Sequence, residues 1–348
     1  MSGTKPIVLH LGDPIKWNHA LYEELNSKFT VVRSGSLSRP DFLAALREKR
    51  FGDFVAIYRP FWNTGGEMGN WDDELISLLP RSVKISVSAG AGFDWVDTKR
   101  LAESGIIYCN GSPACAESVA DVAIYLLISA FRLLILSSLS ARSLSPTRFA
   151  TTCRTLASHT HNPAGHILGI IGLGNIGFRT AQKAHLALNM RIVYNDRVRR
   201  SPAEEASIGG ATFYEHLDDM LAVSDAVLVA TPFEGTKVLE ASHIAKMKPG
   251  SRLVNVARGK LIDEDALVAA LESGHLVSAG LDVHFDEPNV NPKLVALENV
   301  EVLSHTGGAS VESHVGFERL GMENILSFFE TGEALTPVNV HLMSGVSL

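Results

Sequence analysis

The segment HILGIIGLGNIGFRTAQKAHLALNMRIVYND, residues 166–196, constrains the fold more than any other part of the chain. Gly172, Gly174 and Gly177 have the spacing G-x-G-x-x-G, with an apolar run before them and the helix-like FRTAQKAHLAL after. The first glycine permits a tight turn. The second lets backbone approach a pyrophosphate, and the third lets helix and strand pack closely. A diphosphate would sit at the helix N-terminus, where unpaired N–H groups and the helix dipole favour anions. A second strand, RIVYN, ends at Asp196, 24 residues after Gly172. An acid at that place accepts hydrogen bonds from the adenosine ribose. The strand–turn–helix–strand–acid context disfavours the plainer reading, a glycine turn with no ligand. Asp196 favours NAD, because it would repel a 2′-phosphate. Arg197, Arg199 and Arg200 follow directly. They either serve such a phosphate, which keeps NADP open, or form a solvated charge run.

Strands and helices alternate along the rest of the chain. KPIVLHLGD (5–13), FVAIY (54–58), VKISVSAG (83–90) and IIYCN (106–110) read as strands. DFLAALREKR (41–50), DDELISLLP (72–80) and VDTKRLAESG (96–105) read as helices. Beyond the glycine loop, AVLVATP (226–232), SRLVNVA (251–257) and VEVLS (300–304) continue the series. The pattern predicts an α/β chain whose parallel sheets are covered by helices. With 348 residues it should form two domains. The stretch 140–166 is polar and without clear period, so it reads as a connection. VADVAIYLLISAFRLLILSSL (119–139) is strongly apolar, but Asp121 and Arg132 interrupt it. It reads as a helix buried against another domain or subunit rather than a membrane span.

Composition removes several function classes. A net charge of −7 gives no reason to expect nucleic acid or an anionic membrane as partner. The three cysteines, Cys109, Cys115 and Cys153, form no C-x-x-C pair, and the histidines form no convincing ligand set, so no metal site is expected. The first residues do not resemble a secretory signal, and the expected location is cytoplasmic.

Three later segments carry groups suited to chemistry: NVARGKLIDEDALVAAL (255–271), DVHFDEP (282–288) and LSHTGGAS (303–310). Ligands of open α/β sheets bind at the carboxyl ends of strands, where Arg258 and His305 fall. Hydride transfer on a hydroxy acid needs a cation for the carboxylate, and a planar guanidinium does this best. It needs a base with a pKa near working pH, which suits histidine. It also needs a carboxylate to orient that histidine. Arg258, His305 and one acid would complete the set. The bland alternatives are a salt-bridged arginine and a satisfied histidine. Asp282, His284, Asp286 and Glu287 crowd six positions, and not all can take part.

These segments, with AGAGFDWVD (89–97), SVADVAIYLLISAFR (118–132), KMKPGSRLVNVARG (246–259) and DEDALVAALESGHLVSAGLDV (263–283), resemble the D-isomer-specific 2-hydroxyacid dehydrogenase family over most of the chain. AGAGFDW and HNPAGHILG (161–169) are most similar to its fungal D-mandelate dehydrogenase branch. The resemblance implies two doubly wound, Rossmann-like parallel-sheet domains. A discontinuous substrate domain would comprise 1–115 and 310–348, and the NAD-binding domain 116–309. It implies that Arg258 binds the substrate, that Glu287 partners the catalytic His305, and that Asp282 reaches the nicotinamide carboxamide. The backbone of Gly90, Ala91 and Gly92 would cradle the substrate carboxylate. Asn175 and Ile176 would serve the pyrophosphate, Thr231 and Pro232 the adenine side, and Ala257 and Gly308 would also lie against the cofactor. Asp286 is the confounder beside Glu287, and His284 is expected to be structural or pocket-lining.

The activity implied is NAD(P)-dependent reduction of a 2-keto acid, and the apolar helix over 119–139 hints at a homodimer. Tyr58, Phe61 and Trp62 either wall a pocket for a bulky aromatic or branched side chain or pack in the core. The alternative is an NAD(H)-sensing, corepressor-like binding protein of the same fold. Two departures from the family pattern, Asp121 in place of the usual Glu and the stretched Asn110-Gly111-Ser112-Pro113, remove no catalytic group.

Overall fold

Strand β1 (Ile7–Leu11) shows how the first sheet is buried on both faces. Val8 joins one apolar cluster, while Leu9 and Leu11 join the other, because side chains alternate along a strand. The computed structural model describes residues 5–61 and 68–343. The chain divides into two units, Met1–Cys115 with Ala309–Leu348, and Ala116–Gly308.

In unit 1, β1 lies among β2 (Thr30–Gly35), β3 (Ala56–Arg59), β4 (Ile85–Ser88) and β5 (Ile107–Cys109). The order is β2-β1-β3-β4-β5, and every pairing is parallel. One face is covered by Phe42, Leu46, Trp71 and Leu75. The other is covered by Leu25 and by Met322, Ile325 and Leu326 of the long helix Val311–Thr331. That late helix is what makes unit 1 discontinuous in sequence.

Tyr58 is fully buried, and its hydroxyl donates to the Glu318 carbonyl at 2.9 Å. It therefore packs in the core. Trp62 lies outside the described residues. His10, also fully buried, hydrogen-bonds the Tyr22 hydroxyl (2.7 Å) and the Asp13 carbonyl (2.9 Å). Burial, then the nearby Arg33, pushes its pKa down to about 4.

Unit 2 holds β6 (Ile167–Ile171), β7 (Arg191–Asn195), β8 (Thr212–Phe213), β9 (Ala226–Val229), β10 (Ser251–Asn255), β11 (Leu276–Leu281) and β12 (Val300–Val302). Their order is β12-β11-β10-β9-β6-β7-β8, again all parallel. The order reverses between β6 and β9, the place where a doubly wound sheet opens a ligand crevice.

The apolar run expected to form one helix over 119–139 is instead split. A helix spans Ser112–Arg132, Leu133 takes a left-handed backbone (φ 48°), and a second helix spans Leu134–Arg142. By length and composition the first helix could cross a membrane. Its Val119, Ala123, Leu126, Leu127 and Phe131 are, however, buried. Leu126 fits against Gly280 of β11, where a Cβ would lie 2.9 Å from the Leu126 Cβ. Ser278 donates to the Ala130 carbonyl (2.7 Å), and Ser129 donates to the Glu301 carboxylate (2.8 Å). The stretch 140–166 is also more regular than its composition suggests. Pro146–Thr155 is a helix started by the Ser145 hydroxyl and Pro146.

Candidate active site

The three glycines after β6 meet three different constraints. Gly172 has φ +89°, and a Cβ there would lie 2.9 Å from the Ala230 carbonyl oxygen and Thr231 Cα. Gly174, the N-cap of the helix Asn175–Leu188, has open space where its Cβ would be. A Cβ on Gly177 would collide with the Gly172 carbonyl oxygen at 2.1 Å. The first and third glycines thus shape the turn, and the second leaves the helix N-terminus approachable.

Asp196, just past β7, braces this loop, its carboxylate accepting N–H groups from Leu173 and Arg197, both at 2.7 Å. A cavity of about 350 Å³ adjoins it, lined by Gly172, Asp196, Thr231, Pro232, Lys237 and Leu261 among others. The loop and cavity have the size and chemistry to hold the adenosine end of a dinucleotide. Leu261 and Lys237 were not singled out from sequence, because they lie outside the motif and reach the cavity from later loops.

His305, Glu287 and Arg258 come from separate loops of unit 2. His305 Nδ1 lies 2.7 Å from Glu287 Oε2. Glu287 Oε1 accepts the backbone N–H of His284 at 2.9 Å. Partial burial works to raise the Glu287 pKa. The hydrogen bonds from His305 and the His284 amide, aided by the charges of His305 and Arg258, outweigh it and hold the carboxyl below its usual range. Arg258 is half-buried and donates to the Ala257 carbonyl at 2.8 Å.

Two residues set the Arg258 turn, and sequence reasoning missed the structural reason for both. The Asn255 amide donates to the Arg258 carbonyl (2.9 Å), and its oxygen accepts the Ala257 N–H (3.0 Å). A Cβ on Gly259 would lie 1.9 Å from the His284 carbonyl carbon. Only glycine lets the Arg258 turn lie that close to the segment carrying Glu287.

His305 itself has φ 56°, and its N–H donates to the Asp282 carbonyl at 2.8 Å. The Asp282 carboxylate is buried and accepts the N–H groups of Thr306 and Gly307, both at 2.9 Å. His284 is buried, with Nε2 2.7 Å from the Leu303 carbonyl. Asp286 turns away to Asn289.

In unit 1, Gly90 has φ +87° and its carbonyl accepts the Gly111 N–H at 2.7 Å. The Asn110 amide holds the Ala91 carbonyl at 2.8 Å. Among the described residues no acceptor meets the N–H groups of Gly90, Ala91 or Gly92.

Comparison with known proteins points the same way. Residues 137–307 match the family model for the D-isomer specific 2-hydroxyacid dehydrogenase, NAD binding domain. The chain is 38% identical to the 4-methyl-2-oxopentanoate reductase A of Aspergillus oryzae, over 91% of this chain and 93% of the relative. It is similar to the holo D-mandelate dehydrogenase of Rhodotorula graminis, with TM-score 0.92 and 40% identity over 97% of this chain and 98% of the other. A glyoxylate reductase from Paecilomyes thermophila gives TM-score 0.86 at 36% identity, over 96% and 98%.

Proposed function

Given that this chain belongs to the D-isomer specific 2-hydroxyacid dehydrogenase family, we propose that it reduces 2-oxo acids with bulky, apolar side chains, using NADH. That it is an oxidoreductase with an NAD-binding domain, acting on small 2-oxo or 2-hydroxy acids, follows from the family. The bulky side chain is favoured by the relatives named for 4-methyl-2-oxopentanoate and mandelate.

The observation that carries the mechanism is the His305–Glu287 contact of 2.7 Å with Arg258 beside it. Arg258 holds the substrate carboxylate and polarises the keto oxygen. With Nδ1 engaged by Glu287, Nε2 of His305 is the nitrogen that passes a proton to that oxygen. Anionic Glu287 stabilises the imidazolium before transfer and fixes the ring afterwards. The nicotinamide, when bound, supplies the hydride to C2 of the oxo acid. The N–H groups of Gly90, Ala91 and Gly92 form an anion cradle suited to a carboxylate.

NADH is favoured over NADPH because the arginines beside Asp196 are already engaged. Arg197 pairs with Glu234, Arg199 with Glu205 at 2.9 Å, and Arg200 with the Leu173 carbonyl. A homodimer is supported by exposed apolar side chains within residues 112–155, namely Tyr125, Leu134, Leu139, Leu144 and Phe149. Light scattering should give twice the chain mass of 37.6 kDa. The activity is tested by NADH and NADPH oxidation with glyoxylate, pyruvate, 4-methyl-2-oxopentanoate, phenylpyruvate and benzoylformate. Turnover of glyoxylate alone would refute the bulky-substrate reading.

A further inference from the structure

Unit 1 contains a cavity of about 560 Å³ at the amino ends of β3 and β4. Phe54, just before β3, and Ser82, just before β4, both line it. It is larger than the cavity beside Asp196, at about 350 Å³, and has a size that small organic ligands occupy. The Gly90–Gly92 turn follows the carboxyl end of β4, so the two features belong to opposite ends of one strand. Nothing in the reductase mechanism uses this cavity.

Its walls are mostly apolar. Leu46 and Leu79 are buried, while Phe51, Leu78 and Pro80 are half-buried. Its charges do not cancel, because two cations, Lys49 and Arg81, face one carboxylate, Asp53. Lys49 pairs with Asp53 at 3.3 Å. Arg81 is exposed and forms no ion pair among the described residues.

Hydrogen-bond donors are left over as well. The carbonyls of Ala45, Leu46 and Pro80 accept the N–H groups of Arg50, Lys49 and Val83, and that of Phe54 accepts the Ser82 hydroxyl. Among the described residues, however, no acceptor meets the N–H groups of Phe54, Arg81 or Ser82. Phe54 is 1% exposed, and a buried N–H with no acceptor is rare in folded proteins.

The rim is built at a local cost. The bonds from Lys49 and Arg50 close the helix Arg39–Arg47 in a Schellman turn, whose left-handed position usually belongs to glycine. Here Lys49 takes it, at φ 53°, a conformation unfavourable to a residue with a Cβ. Its ammonium offsets the Asp53 carboxylate, which would otherwise repel an anion from this lining. Apolar walls, one guanidinium without a counter-ion and unmet N–H groups suit a molecule with an apolar body and a single negative charge. A planar guanidinium matches a carboxylate with two parallel hydrogen bonds.

We propose that this cavity binds organic monocarboxylates, with the apolar body against Phe51, Leu78 and Pro80 and the carboxylate at Arg81. The site is separate from the one that takes the 2-oxo acid, and its assignment does not depend on the reductase reading.

The test is calorimetric titration of octanoate and octan-1-ol into the full chain, for the unmodified protein, Arg81→Gln, Leu78→Glu and Arg258→Ala. Octanoate should bind the unmodified protein and raise its melting temperature by mass action. Arg81→Gln should weaken octanoate about tenfold, the size expected for losing a charge-assisted hydrogen bond, and Leu78→Glu should weaken it at least as much. Arg258→Ala should leave the affinity unchanged, and octan-1-ol should bind the unmodified protein about tenfold more weakly than octanoate. Without octanoate, Arg81→Gln should melt and turn over 2-oxo acids as the unmodified protein does. No binding of octanoate at millimolar concentration would overturn the proposal. An unchanged affinity in Arg81→Gln or Leu78→Glu would do the same, since the acid would then sit on another surface. Loss of binding in Arg258→Ala would place the acid in the reductase site instead, and equal binding of octan-1-ol would remove the carboxylate from the recognition.

Discussion

His305 and Glu287, eighteen positions apart in the chain, meet at 2.7 Å through Nδ1 and Oε2. The carboxylate is doubly committed, since its other oxygen takes the His284 N–H at 2.9 Å. That second bond fixes the direction from which Glu287 approaches the imidazole. Glu287→Gln keeps the shape and removes the charge. It should lower kcat about 100-fold, within the usual range for general acid–base catalysis, while KM for NADH changes little. Steady-state kinetics on the preferred 2-oxo acid decide this, and a loss smaller than about threefold would remove Glu287 from the mechanism.

Gly259→Ala tests whether the Arg258 turn depends on contact with the neighbouring segment. The added methyl would stand 1.9 Å from the His284 carbonyl carbon, so one of the two loops must shift. Destabilisation of about 1–3 kcal/mol is expected from overpacking of this kind. The kcat/KM should fall more than tenfold, because Arg258 moves relative to Glu287. Thermal unfolding and kinetics read the two effects separately.

Asp196→Ser should move cofactor preference toward NADPH. The substitution removes the charge that repels a 2′-phosphate. The NADPH-to-NADH ratio of kcat/KM should rise about tenfold or more. An unchanged ratio would mean that Asp196 only braces the Leu173 and Arg197 amides.

His10 predicts an acid sensitivity that has nothing to do with catalysis. Its folded pKa is near 4, against an ordinary 6.5. Below pH 6.5 the unfolded chain binds a proton that the folded chain refuses. Stability is therefore lost as pH falls from about 6.5 to 4, by about 3 kcal/mol for a gap of this size. His10→Gln removes the titration while keeping a hydrogen-bonding side chain. Its melting temperature should vary less than that of the unmodified protein across this window.

What the sequence disclosed follows from where the physics is local. The glycine loop is legible because turn, helix N-terminus and strand lie within a few residues of one another. Arg258 and His305 are legible because each falls at the end of an apolar strand. The β11 segment LVSAGL was not read as a strand. Its Ser278 and Gly280 are small because the 112–132 helix lies against them, a partner remote in sequence. The β2 segment TVVRSG was missed because it lies on the edge of its sheet, only partly buried. The Pro146–Thr155 helix buries none of its residues and is largely polar, so no core-facing apolar run announces it. Likewise the buried Glu318 accepts the backbone N–H groups of Lys16, Trp17 and Asn18, some 300 positions away, and no local pattern connects them.

The helix Val311–Thr331 also dictates an order of events during biosynthesis. Val8, Ala56, Tyr58, Ile85 and Val87 present one apolar sheet face, and Met322, Ile325 and Leu326 cover it. Those three residues leave the ribosome only after the whole of unit 2 has been made. Unit 2 can thus complete its core while the nascent amino-terminal sheet still has a bare side. Apolar surface exposed in such an interval is the kind that makes folding intermediates prone to aggregate.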